Sequence, residues 1–210
     1  MNKKRSCISI VLLVAFAVWT WLVCFVDIKA IGPEESSVGL ATLNGVVHSF
    51  TGVNMLLYTV TDWLGLVPVA VAFGFAAVGL VQWIKRGSLM RVDHSILALG
   101  VFYIAVMTAY IFFETVIINY RPILIDGCLE ASYPSSTTLL VMCVMPTALM
   151  QVSKRVKVSA VRCGIMSVII AFTVFMVVGR LISGVHWVSD IIGGVILSSG
   201  LVTMYAAFDK

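Results

Sequence analysis

Six long stretches of the chain are almost free of charged residues, and shorter polar segments separate them. A helix needs roughly 20 mostly apolar residues to cross a bilayer. The pattern therefore predicts spans over residues 7–26, 64–84, 96–118, 137–152, 163–178 and 188–208. The fourth and fifth are short, and their helices can begin several residues earlier. Lys3, Lys4 and Arg5 precede the first apolar run as they would in a secretory signal. The run is too long for a signal core and no small-residue cleavage site follows it, so it reads as a retained anchor. Residues 27–63 are too polar to span. Within them Leu40, Leu43, Val46 and Val47 fall on one side of a helix over 38–53, as in a helix lying at the membrane interface. The expected fold class is all-α: a six-transmembrane-helix bundle with a short interfacial helix between the first two spans. There is no internal repeat, and residues 1–210 read as one membrane domain.

Composition narrows the function classes. Hydrophobic residues make up 60% of the chain and charged residues 11%, against about 45–50% and about 25% in soluble domains. This excludes a soluble globular enzyme, a disordered chain and a basic nucleic-acid binder, and it makes the phospholipid bilayer the chain's partner. Spans nearly free of midplane polar residues disfavour a transporter. Lys3, Lys4, Arg5, Lys85, Arg86, Arg91, Lys154, Arg155, Lys157, Arg162 and Lys210 fall on one side of the predicted topology, while Lys29, Arg121 and Arg180 fall on the other. The richer side is expected to be cytoplasmic, with both termini there. No Asn-x-Ser/Thr site is present, which fits a bacterial plasma membrane. The five cysteines form no C-x-x-C pattern, so no zinc or redox site is implied.

The remaining charges gather on the outward side. Arg180 precedes His186 by six residues, and Asp190 follows His186 by four. Four residues apart on a helix, Asp190 could hold one ring nitrogen of His186 and leave the other free as base or nucleophile. The same pair could equally close a helix end. Arg180 adds a fixed cation whose fork suits phosphate oxygens. Arg121-Pro122 follows the third span, and Pro134-Ser135-Ser136-Thr137 opens the fourth. A Ser-capped helix start attracts anions, although Pro-Ser is also an ordinary cap.

In this order, Arg-Pro, Pro-Ser and Arg-x5-His-x3-Asp resemble the type 2 phosphatidic acid phosphatase family, whose fold is shared with vanadium haloperoxidases. The resemblance is strongest over 64–210. The family pattern is Lys-x6-Arg-Pro, Pro-Ser-Gly-His and Ser-Arg-x5-His-x3-Asp. The resemblance implies that His186 attacks phosphorus to form a phosphohistidine, that Asp190 orients it, and that Arg121 and Arg180 clamp the phosphate. Ser135 and the backbone around Ser136 would add donors. No metal or other cofactor is implied, and the substrate would be a membrane lipid phosphate.

Gly179 stands where the pattern has Ser and Ser136 where it has Gly, and two catalytic positions depart as well. Glu114 stands where the family has lysine, and Thr137 where it has the histidine that protonates the leaving group. Seven residues before Arg121, Glu114 is expected on the same helical side and paired with Arg121 or Arg180. Threonine cannot act as an acid near neutral pH. A diphosphate can leave as a phosphate monoester of second pKa about 6 without that proton, so a polyprenyl diphosphate is a candidate substrate. Three readings follow: a lipid phosphatase, a lipid phosphotransferase, or a catalytically silent relative that binds lipid phosphate or a partner. His48, on the outer segment, offers another proton source or simply sits at headgroup level. His94 is cytoplasmic. Trp187 and Tyr120 are expected as interfacial anchors. Gly193, Gly194 and Ser198 give the sixth span a small-residue face for close packing.

Overall fold

A computed structural model describes residues 2–208. Helix α1 (Lys3–Phe25) leads to a two-stranded antiparallel ribbon, β1 (Lys29–Ala30) with β2 (Ser37–Val38). Then follow α2 (Ala41–Thr51), α3 (Met55–Leu64), α4 (Leu66–Arg86), α5 (His94–Thr115), α6 (Ser136–Arg155), α7 (Ser159–Ile182) and α8 (Val188–Phe208). Six helical runs are long and apolar enough to cross a membrane, with α3 and α4 counting as one run, Met55–Arg86. The protein is an integral membrane protein with an all-α six-span bundle, and α2 is the short helix expected between the first two spans.

Three of the boundaries that differ from the hydropathy pattern bear on the site. The second run starts at Met55 rather than 64, because Thr59, Thr61 and Asp62 mask a helix that Asn54 caps by accepting the Leu57 N–H at 3.0 Å. Gly65 keeps helical angles, so α4 continues from α3. Helix α7 runs through Gly179 and Arg180 to Ile182, which shortens the expected loop before His186. Helix α5 stops at Thr115, short of 118.

Helix α8 holds the bundle together. Ser9 on α1 donates to the Gly200 carbonyl at 2.8 Å, and Trp19 donates to the Ser189 carbonyl at 3.1 Å. A Cβ at Gly193 would meet the Tyr133 ring at 2.7 Å, and one at Gly194 would meet Thr138 and the Ser135 carbonyl. The small-residue face thus packs against α6 and the segment leading into it, while Ser198 bonds back to the Gly194 carbonyl of its own helix. Both chain ends share one end of the bundle, where the Asn2 N–H donates to the Ala207 carbonyl at 3.0 Å. Arg86 and Arg155 meet Asp93 at that end, at 2.8 and 3.5 Å. The opposite end gathers residues 27–54, 116–135 and 183–187.

Candidate active site

The α7–α8 loop is pressed against the α2–α3 corner. Its Gly184 has φ +66°, and a Cβ there would lie 1.7 Å from the Gly52 carbonyl oxygen. The Asn54 N–H donates to the Ser183 carbonyl at 2.9 Å. His186 ends this turn, only 3% exposed. Asp190, in the first turn of α8, is fully buried and accepts the Trp187 N–H at 2.9 Å, as an acidic residue does at a capped helix start. His186 Nδ1 lies 3.7 Å from Asp190 Oδ2, adjacent but beyond hydrogen-bond reach. His186 precedes the helix, so the pair is set by the turn rather than by a shared helical face.

A polar chain supports Asp190 from behind. Ser189 Oγ donates to Asp190 Oδ1 at 3.3 Å. Asn44 of α2 accepts the Ser189 N–H at 3.1 Å and donates to Ser189 Oγ at 2.9 Å and to the Gly39 carbonyl at 2.8 Å. Asn119 takes the Gly39 N–H at 3.2 Å.

Arg180 Nη2 lies 3.2 Å from His186 Nε2. A guanidinium only donates, so Nε2 carries the lone pair and the ring proton sits on Nδ1. Burial, with the nearby cations Arg121 and Arg180, holds the His186 pKa well below its ordinary 6.5, and the ring is neutral. Arg180 Nη1 is 3.5 Å from Asp62. Arg121 Nε is 3.0 Å from Glu130 Oε2, close in distance but not aligned as a hydrogen bond. Both guanidiniums stack over Tyr58, their central carbons 4.9 Å (Arg180) and 5.8 Å (Arg121) from the ring centroid. Nε of Arg180 and Nε and Nη1 of Arg121 are buried donors without a hydrogen-bond acceptor. Donors held this way favour an incoming anion.

Arg121, Arg180, Tyr58, Glu114, Ser136 and Thr137 line a cavity of ≈ 640 Å³. Ser136 and Thr137 start α6, where the first N–H groups have no intrahelical partner. Ser135 Oγ accepts from Thr138 N–H at 3.4 Å and from Thr138 Oγ1 at 3.1 Å, so its hydroxyl caps α6 behind the wall. His186 and Asp190 also lie behind the wall, and Arg180 joins them to the cavity. An apolar groove of ≈ 970 Å³ between α4 and α5 shares Val69, Tyr110 and Leu140 with the cavity.

Among solved structures, this chain is similar to a transmembrane PAP2-type phosphatidylglycerolphosphate phosphatase from Bacillus subtilis. The TM-score is 0.55 over 96% of this chain and 95% of that one, at 17% sequence identity. The chain has a PAP2-like fold. No family model matches the sequence, and comparison with curated proteins yields no match.

Within the PAP2-like frame, two expectations are corrected. Glu114 pairs with neither arginine, because Asp62 and Glu130 take them. Helix α5 ends before Arg121, which sits instead in a loop bridged at Tyr120 and Ala131, so helical spacing does not relate the two residues. Glu114 still reaches the cavity wall. Trp187 is no exposed anchor: it is 2% exposed and donates from Nε1 to the Tyr120 carbonyl at 2.8 Å. His48 packs edge-on against Trp187, ring centroids 5.4 Å apart, and burial lowers its pKa. His94 begins α5 at the other end of the bundle.

Tyr58, Asp62 and Asn44 are absent from the sequence-derived site. Tyr58 and Asp62 are four apart on α3, a spacing that marks one face once that helix is recognised. Asn44 is a lone buried amide on α2, and nothing in the chain's order ties it to Ser189.

Proposed function

We propose that this protein is a membrane lipid phosphatase that acts through a phosphohistidine at His186. The observation that carries the reading is the neutral, buried His186 whose Nε2 faces Arg180, beside guanidinium donors that lack acceptors. Phosphate oxygens would engage Arg121, Arg180 and the N–H groups of Ser136 and Thr137. Arg180 would turn its Nη2 from the imidazole to the phosphate and free the Nε2 lone pair. Nε2 then forms a bond to phosphorus as the ester P–O bond breaks and the electron pair leaves with the lipid oxygen. Asp190 steadies the charged ring, with its carboxylate 3.7 Å from Nδ1. Water next attacks phosphorus, the P–N bond breaks, and phosphate and neutral His186 are regenerated. Ser135 contributes through the helix cap rather than by direct contact.

The apolar groove contiguous with the cavity suits a long lipid chain. Thr137 supplies no proton, so the leaving group must depart without one from that position. A diphosphate is one substrate that meets this requirement, since its leaving monoester has a second pKa of about 6. We place the site on the outward face of a bacterial plasma membrane, with both termini cytoplasmic and residues 1–210 working as one unit. A silent relative is the second reading, favoured by the carboxylates Asp62 and Glu130 on the two arginines.

Incubation with a lipid labelled in its phosphate, followed by an alkaline quench, tests the proposal. Acid-labile label on the native protein and none on His186→Ala is the expected result. Phosphate release that persists in His186→Ala refutes the mechanism. No release and no label across polyprenyl diphosphate, phosphatidate and phosphatidylglycerophosphate favours the silent relative.

A further inference from the structure

We infer that Glu114 selects a lipid phosphate carrying an ammonium group close to the phosphate, an inference that rests on the lipid-phosphate reading of the same cavity. Arg180 faces Asp62 and Arg121 faces Glu130, one carboxylate to each guanidinium. Glu114, an exposed residue, lines the same cavity and has no ion pair or hydrogen bond among the described residues. Its charge is therefore in excess. A bound phosphate adds about −1.5 to −2 more. Yet the cavity also calls for an anion: the Arg121 side chain is 10% exposed, and its Nη1 has no acceptor. A wall that presents unfilled donors and an unmatched carboxylate suits a ligand bearing both signs.

Position agrees with charge. Tyr110 lines both the cavity and the α4–α5 groove. Glu114 is four residues further along α5, on the same face as Tyr110. Glu114 thus stands where a lipid passes from its phosphate to its chain, and an ammonium two or three bonds from the ester oxygen would meet it there. A diphosphate would bring further negative charge to the same place. Among the described residues no three carboxylates, histidines or cysteines group closely enough to share a metal ion.

Such a substrate also answers the lack of an acid at Thr137. As the P–O bond breaks, the departing alkoxide takes a proton from the neighbouring ammonium. The resulting amine regains a proton from water, and the products are an amino alcohol and the phosphohistidine. The two catalytic departures from the family pattern then form one adaptation: the substrate brings the cation and the proton that the protein lacks.

The test uses the full-length protein in detergent micelles and two matched probes, a long-chain β-amino alkyl phosphate and its β-hydroxy counterpart. Binding is measured on His186→Ala protein and phosphate release on native protein. The expected result is tighter binding of the amino lipid by about tenfold or more, the size of one charged hydrogen bond. Glu114→Gln should abolish the preference and Glu114→Lys should reverse it, with size exclusion confirming that both variants fold. Equal binding of the two probes overturns the inference. So does a preference that survives both variants, or one that appears only with added Mg²⁺. An amino preference in binding without hydrolysis sinks the phosphatase reading and leaves this inference standing. Equal binding with hydrolysis of both lipids does the opposite, and failure to bind either probe overturns both.

Discussion

Arg180 donates from Nη2 to Nε2 of His186 across 3.2 Å, which fixes the imidazole as its Nδ1–H tautomer. Nitrogen NMR should show an unprotonated Nε2 throughout the neutral range. The lowered His186 pKa also has a thermodynamic sign. The unfolded chain binds a proton near 6.5 while the folded chain does not, so stability is full above that value and falls as pH drops below it. Melting between pH 7.5 and 5.5 should show a loss of about 1 kcal/mol from this group. His186→Gln should flatten that part of the profile, and an unchanged slope would place the titration elsewhere.

Arg180→Lys keeps the charge but loses the fork and the stacking over Tyr58. Phosphate release should fall by about 10²–10³-fold, the usual cost of one preorganised donor. Vanadate competition assays on the same variant should weaken in parallel.

Asn44→Ala removes both bonds to Ser189 and leaves the Ser189 N–H buried. Stability should drop by about 1–3 kcal/mol. Asn44 touches no substrate, so a positioning role lowers kcat with KM little changed. A loss of Tm with unaltered kcat would make the residue purely structural.

Gly184→Ala forces a side chain into both the left-handed region and the Gly52 backbone. Strain alone costs about 1–3 kcal/mol. Thermal unfolding in detergent should show a clear drop, accompanied by loss of activity because the turn carries His186.

Glu114→Lys combined with Thr137→His places a cation and an acid where the type 2 phosphatidic acid phosphatase pattern has them. Hydrolysis of phosphatidate, a plain monoester, should rise about 10²-fold, the lower range for a positioned acid. A flat response would mean that the cavity is committed to different chemistry.

The spans were legible because bilayer crossing is a property of local composition. Arg180, His186 and Asp190 were legible because close spacing keeps residues near one another in any fold. Helix α3 escaped notice because Asp62 and two threonines lower its hydropathy. The Asn44–Ser189 link joins positions 145 residues apart, which no local pattern encodes. The pairing expected of Glu114 failed because it assumed that helix α5 continues past Thr115.

The apolar run from Met55 to Arg86 is 32 residues long and is divided at Gly65 into α3 and α4. Helix α4 alone, 21 residues at 1.5 Å each, is about 32 Å long, and tilting by about 20° barely shortens it. Hydrocarbon accounts for only about 30 Å. With α4 filling that thickness, α3, which carries Tyr58 and Asp62, falls at the level of the headgroups, and the groove beside α4 stays in oil. On the proposed function, a lipid would offer its phosphate to the arginines without leaving its leaflet. Drawing a sixteen-carbon tail into water costs on the order of 12 kcal/mol, at about 0.8 kcal/mol per methylene. A water-borne hydrolase would have to meet that extraction penalty on every turnover, whereas the proposed site would meet the phosphate where the headgroup already is.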